Sequence, residues 1–352
     1  MAIKSYKGFD KNLRCRGFQY KIGGIYEMDG KIKMCNRGFH ACESPFDVFD
    51  YYTMIDSRFC EVEQDGNISK EDRGTKICSS KIKIKAELKL ADMINLGVEW
   101  LKEITSPEKI KTSIKDNSSG YGAQIGSSGN GAQIGSSGYG AQIGSSGNGA
   151  QIGSSGNGAQ IGSSGYDAQI GSSGYGAKIG SSGYDAKIGS SGNDAKIGSS
   201  GYDAQIGSSG YDAQIGSSGN GAQIGSSGYG AKIGSSGYDA KIGSSGYDAQ
   251  IGSSGDGAQI GSSGYGAKIS SSGYGAKIDS TGEDCVIMCA GINSVAKASK
   301  GSWVTLSEWS YSEEKQRYIP ICVKTEFVDG EKIKADTYYS LKGGVFVEWI
   351  ND

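Results

Sequence analysis

Proline and histidine are almost missing from this chain, with 3 prolines and 1 histidine in 352 residues. So little proline argues against a collagen-like triple helix, even though glycine closes two of every three triplets in its repeats; alanine closes the third. A single histidine leaves little imidazole for metal binding. The 8 cysteines show no Cys-x-x-Cys spacing either, so no metal site is expected. Scattered cysteines with no export pattern at Met1–Gly8 read as buried thiols of a cytoplasmic protein. No apolar run is long enough to span a bilayer, and no membrane partner is expected. Charge of one sign is lacking too: 36 Lys and Arg face 38 Asp and Glu, a net charge of −2. A near-neutral surface has neither the field that draws nucleic-acid phosphates nor the dense negative charge of a DNA mimic. No nucleic-acid partner and no cofactor are expected.

What is present is repetition. From Tyr121 to Gly282 one nine-residue unit, [Tyr/Asn/Asp]-[Gly/Asp]-Ala-[Gln/Lys]-Ile-Gly-Ser-Ser-Gly, recurs eighteen times without insertion. A fixed period of this kind means stacked units that bury a shared core. Ala and Ile never vary and stand two apart, so on a strand they share one face. The Gln or Lys between them points to solvent. Gly-Ser-Ser-Gly reads as a corner, with positive φ supplied by its glycines. The reading is a β-solenoid, with two units per coil preferred over three. Nine coils would then give a rod of roughly 43 Å. A calcium roll is disfavoured, because Asp occupies the relevant position in only seven units (Asp167, Asp185, Asp194, Asp203, Asp212, Asp239, Asp248). A disordered linker would not keep Ile in register.

The first position of the unit is Tyr in twelve units, Asn in five and Asp once, at Asp256. A dry core could not accept all three, so the position is an outer corner. The tyrosines Tyr121, Tyr139, Tyr166, Tyr175, Tyr184, Tyr202, Tyr211, Tyr229, Tyr238, Tyr247, Tyr265 and Tyr274 would form ladders along the rod. Such ladders offer protein or glycan contact area at low entropic cost, or they only stabilise the roll by stacking.

The ends have ordinary globular composition. Residues 1–110 read as an α+β domain. Its expected strands are Ile3–Phe9, Ile25–Met28, Lys31–Cys35, Gly38–Ala41, Phe59–Glu63 and Thr75–Leu90. A helix capped by Ser44 begins at Pro45, and a second covers Ala91–Ile104. Residues 111–300 read as the solenoid with its capping segments, Leu101–Asn117 leading into the first coil. Cys285, Ile287 and Val295 read as core of a terminal coil. Residues 301–352 read as a small antiparallel β domain. Its strands are Trp303–Trp309, Tyr318–Val328, Lys332–Leu341 and Val345–Ile350, with hairpin turns at Asp329-Gly330 and Lys342-Gly343-Gly344.

Gly38-Phe39-His40-Ala41-Cys42, Ser44-Pro45-Phe46-Asp47-Val48 and Tyr51-Tyr52, together with the repeats, resemble uncharacterised proteins of bacteriophages, prophages and gut bacteria. These join a small N-terminal domain of unknown function to nonapeptide repeats. The resemblance implies a viral setting and transfers no catalytic residue. Gly38–Ala41 followed by Tyr51-Tyr52 is also similar to the pattern of ADP-ribosyltransferase-like folds, with Arg16 and Glu61 or Glu63 as polar partners. That makes His40 and Arg16 the candidate catalytic residues of an alternative, enzymatic reading. No nucleophile elbow, phosphate loop or paired metal motif supports it. The expectation is a non-enzymatic scaffold or binding surface that engages a host or viral protein in the host cytoplasm, with countering host immunity as one such role. Side-by-side self-association is compatible with a flat rod, and a virion or surface component is the other non-enzymatic reading.

Overall fold

The structure is a computed structural model that describes residues 2–53, 57–71, 75–104 and 120–350. Each repeat contributes one short strand, Gln/Lys-Ile-Gly-Ser, as in Gln142–Ser145. That strand pairs in parallel and in register with the strand two units on, Ile143 with Ile161 and Ser145 with Ser163. Two units therefore make one coil, and successive units alternate between two sheets of 12 strands each. The solenoid runs for about ten turns over residues 124–306.

Inside, the invariant Ala and Ile do what their spacing implies: Ala141 and Ile143 are fully buried. The first Ser of each unit also faces inward, Ser145 among them, because it stands two residues beyond Ile on the same strand. The corner differs from the expectation. The first Gly and first Ser of Gly-Ser-Ser-Gly belong to the strand, and the turn is Ser-Gly-[Tyr/Asn/Asp]-[Gly/Asp]. Positive φ falls on the second position of the unit, +68° at Gly158 and +54° at Asp203. Aspartate is among the few side chains that visit this region readily, which is why it replaces glycine there. The closing glycine is fixed by contact instead: a Cβ on Gly201 would overlap the carbonyl oxygen of Gly183 in the coil below.

The N-terminal domain comprises β1 (Ile3–Phe9), β2 (Arg14–Cys15), β3 (Phe18–Gln19), β4 (Ile25–Glu27), β5 (Phe39–Cys42), β6 (Arg58–Lys70), β7 (Lys76–Leu88) and α1 (Leu90–Ile104). β1 pairs with β5 and β6, and β7 pairs with both, so these four strands close on themselves while β4 adds to β7. Gln64 sits fully buried at the centre. It accepts from Ser5 Oγ at 2.9 Å and donates to Phe39 O at 2.8 Å and to Ser79 Oγ at 3.1 Å. Two local expectations fail. Lys31–Cys35 makes only an isolated bridge, Lys33 to Arg37. The helix after Ser44 is a single 3-10 turn, Phe46–Asp50, with Pro45 at its N-cap and no side-chain cap bond.

The described part of this domain lies on the flank of the rod rather than over its end. α1 packs along one sheet from Gln142–Ser145 to Gln214–Ser217. Phe46 and Ile94 occupy the space that a Cβ would need at Gly180 and Gly198 on the outer face of that sheet. Lys178 Nζ lies 2.7 Å from both Asp47 and Asp50, and Lys196 Nζ donates to Phe49 O at 2.6 Å. The segment expected to cap the first coil falls mostly in residues 105–119, outside the described residues.

At the other end the cap is built from the rod's own sheets. Trp303–Ser312 continues the docked sheet in parallel with Val286–Cys289, and Arg317–Phe327 then pairs with it antiparallel. Tyr339–Lys342 joins the opposite sheet through Ala296. The turn at Asp329-Gly330 is therefore a crossing between sheets and not a hairpin, while Gly343-Gly344 closes the hairpin to Val345–Glu348 as expected. Cys285 and Ile287 join one core with Val304, Leu306, Val328 and Leu341; Val295, expected there too, is buried but stands in register with outward Lys277, and Ala296 takes the core position of its strand.

Candidate functional site

Three surfaces could carry function. The first is a cleft of about 1200 Å³ in the N-terminal domain, lined by β1, the β2–β3 hairpin, β4, residues 35–42 and Tyr51–Thr53. It brings both sequence-derived catalytic candidates, His40 and Arg16, to one place. His40 Nε2 accepts from the Cys35 amide at 2.9 Å, so its lone pair is already engaged. Burial and then the charges of Lys7, Arg16 and Lys76 hold His40 below the usual histidine value. Glu61 and Glu63, drafted as partners in the enzymatic reading, point elsewhere: they pair with Lys4 at 3.0 Å and Lys85 at 2.7 Å.

Lys7, which the sequence reading did not single out, lines this cleft together with Tyr51 and Tyr52, which it did. Lys7 is buried, and its ammonium donates to His40 O at 2.8 Å and to Cys15 Sγ at 3.5 Å. Burial pulls it below the ordinary lysine value. Tyr52 donates to Cys15 Sγ at 3.0 Å, and its ring lies where a side chain on Gly8 would stand. Burial is the main cause of the raised Tyr52 pKa. Lys76 stands 4.3 Å from the centre of the Tyr51 ring. Arg16 and Cys35, both lining the cleft, adopt positive φ, a conformation that costs bulky residues energy.

The second surface is apolar. In the rod the outward strand positions are Gln, Lys and Gly, but at its C-terminal end they become Val286, Met288 and Trp303. Trp303 pairs with Phe327 across the next strand, ring centres 5.1 Å apart. Val286, Met288, Trp303, Ile321, Val323 and Phe327 are all exposed, Val323 to 63%. This patch lies on the same sheet that carries the N-terminal domain.

The tyrosine corners form the third surface. All twelve are exposed. Neighbouring coils bring rings face to face, as in Tyr166–Tyr184–Tyr202 with centres 5.1 Å apart. Where Asn stands instead, its Oδ1 accepts from the backbone amide of the next coil, Asn157 from Tyr175 at 2.9 Å, and Asp256 does the same for Tyr274 at 2.8 Å. Tyr, Asn and Asp are thus alternative ways of bridging one coil to the next. The carboxylates of Asp194, Asp248 and Asp284 beside Tyr175, Tyr229 and Tyr265 raise those phenols above the usual tyrosine value. Among the described residues no cluster of His, Cys, Asp and Glu could hold a metal ion, and no helix is long and apolar enough to cross a membrane.

Residues 3–96 match the family of a domain of unknown function (DUF7666). No curated protein and no solved structure matches the chain.

Proposed function

We propose that this is a non-enzymatic binding protein, made in the host cytoplasm during bacteriophage growth, in which a rigid β-solenoid presents its C-terminal cap to a host or viral protein. The observation that carries this reading is the exposed patch around Trp303 and Phe327. Contiguous apolar surface with aromatic anchors marks protein contact sites, whereas scattered exposed hydrophobics do not. The repeats themselves are kept polar on this face for nine coils, so the switch to Val286, Met288 and Trp303 is local and needs an explanation of its own. The outermost strand, Arg317–Phe327, carries Pro320 and faces a bulge at Glu308/Trp309. Both features discourage strand-to-strand aggregation. The patch side chains are therefore the surface available for a partner, and the tyrosine ladders act as bracing between coils.

The test is affinity capture from infected-cell lysate with the intact protein and with a Trp303→Ser/Phe327→Ser variant. A partner retained by the first and lost by the second supports the cap as the binding site. Equal capture by both would move recognition to another surface, and deletion of coils would then show whether the tyrosine ladders hold it.

A further inference from the structure

The cleft of the N-terminal domain has an unbalanced charge that the fold does not account for. Five cations line it (Lys7, Arg14, Arg16, Arg37 and Lys76) against two carboxylates, Asp10 and Glu27. Neither carboxylate neutralises them. Glu27 pairs outward with Lys81 at 3.1 Å, and Asp10 accepts from the backbone amides of Asn12 and Arg14. No ion pair among the described residues involves any of the five cations. Lys7 is the telling case. A buried ammonium is ordinarily paired with a carboxylate, because an unpaired charge is costly to desolvate. Lys7 has only a carbonyl oxygen and a sulfur within hydrogen-bond reach. Arg16 makes no hydrogen bond or ion pair among the described residues while standing at φ +50°. The lining of the same cleft also includes an aromatic cluster. Phe18, Tyr20 and Tyr26 pack edge to face with centres 4.8 to 5.5 Å apart, and Phe18 is 49% exposed.

We infer that this cleft binds a nucleoside phosphate, its phosphates held by Lys7, Arg16 and Lys76 and its base laid against the Phe18–Tyr26 wall. An anion satisfies the unpaired cations, and a planar ring satisfies the exposed aromatics; a nucleotide carries both in one molecule. The cleft is larger than the roughly 300–1000 Å³ typical of small-ligand sites, so size does not exclude it. This inference stands on the N-terminal domain alone and is independent of the cap patch.

Isothermal titration of the full chain at low salt tests it, using ADP, GDP, CDP and UDP, with adenosine and inorganic phosphate as the two halves. At least one nucleotide is expected to bind saturably, with adenosine and phosphate each tenfold weaker or more. Binding should weaken as salt is raised. Arg16→Ala/Lys76→Ala, two substitutions outside the core, should lower that affinity at least tenfold while leaving the thermal midpoint in place. Phe18→Ala should weaken the nucleotide and leave phosphate unaffected. No saturable binding of any nucleotide at millimolar concentration would overturn the inference. So would phosphate binding as tightly as the nucleotide, or undiminished binding by the double variant.

Discussion

Glycine recurs at three positions of the repeat, invariant only at the last, and the three differ in why it stands there. The closing glycine is a matter of contact, because the backbone of the coil below leaves no room for a Cβ; at Gly201 the obstacle is the carbonyl of Gly183. The strand glycine faces outward, and at Gly207 nothing lies within 4 Å of where a Cβ would be. The turn glycine is conformational and exchanges with Asp. Substitutions should separate these roles. Gly201→Ala is expected to destabilise by about 1–3 kcal/mol or more through overpacking. Gly207→Ala should be neutral or stabilise by about 0.4–1 kcal/mol, since it only restricts the unfolded chain. Urea unfolding midpoints of the two variants against the wild type check both. The sequence carried the inner Ala and Ile plainly, because neither ever varies. It misled on the glycines, since three of them look alike in one letter and only the Gly/Asp exchange marks the one with positive φ. Ser270 and Asp279, which take the place of the strand glycine, already hinted that this position needs no glycine.

Between elements, the informative contact is the one that seats the N-terminal domain on the rod. Lys178 is almost enclosed, its side chain 9% exposed, with Asp47 at 14% beside it. Burial works against the Lys178 charge, and the two aspartates more than offset it, leaving its pKa above the usual lysine value. A raised lysine pKa contributes stability that is complete below the unfolded value of about 10.4 and is lost as pH rises through the folded one. The docked arrangement should therefore persist through neutral and mildly alkaline solution. Asp47→Asn leaves a buried ammonium half-paired and should loosen the domain by up to about 3–5 kcal/mol, whereas Asp47→Asn with Lys178→Met should recover much of that loss. Hydrogen exchange at the Phe46–Asp50 turn reads the difference. Glu326 in the cap has the opposite sign. Hydrogen bonds from Lys332 and Lys324 lower its pKa, so its contribution is complete above the ordinary value of about 4.3 and disappears as pH falls through the folded one. Between pH 5 and pH 3 the cap should lose protection in the wild type and change less in Glu326→Gln. Nothing in the sequence announced the docking, because Asp47 and Lys178 lie 131 residues apart and the lysine looks like any other repeat lysine. By contrast, β1, β7 and α1 were legible from alternation and apolar spacing within a residue or two of their ends.

For the molecule as a whole, the alternation of units between two sheets turns chain length into orientation. The N-terminal domain and the apolar patch lie on the same sheet face, separated by the strands Lys232–Ser235, Gln250–Ser253 and Lys268–Ser271 between Gln214–Ser217 and Val286–Cys289. At about 4.8 Å per strand, the gap from Gln214–Ser217 to Val286–Cys289 is roughly 19 Å. Removing residues 220–237 deletes two units, one whole coil, and should bring the two surfaces closer by about 4.8 Å while leaving them on one flank. Removing only residues 220–228 deletes one unit. Every later strand then moves to the other sheet, and the patch is carried to the opposite flank about 10 Å away through the core. Both deletions rejoin equivalent repeat positions in register, so both proteins should fold with thermal midpoints near the wild type, as expected of a stack stabilised by nearest-neighbour contacts. Paired spin labels on the N-terminal domain and the cap would report the distances. If the partner touches both the domain and the patch, capture should survive the one-coil deletion far better than the half-coil deletion. If it touches the patch alone, the two deletions should capture equally well. A half-coil deletion that unfolds the rod would show that the two sheets are not interchangeable, despite carrying the same repeated unit.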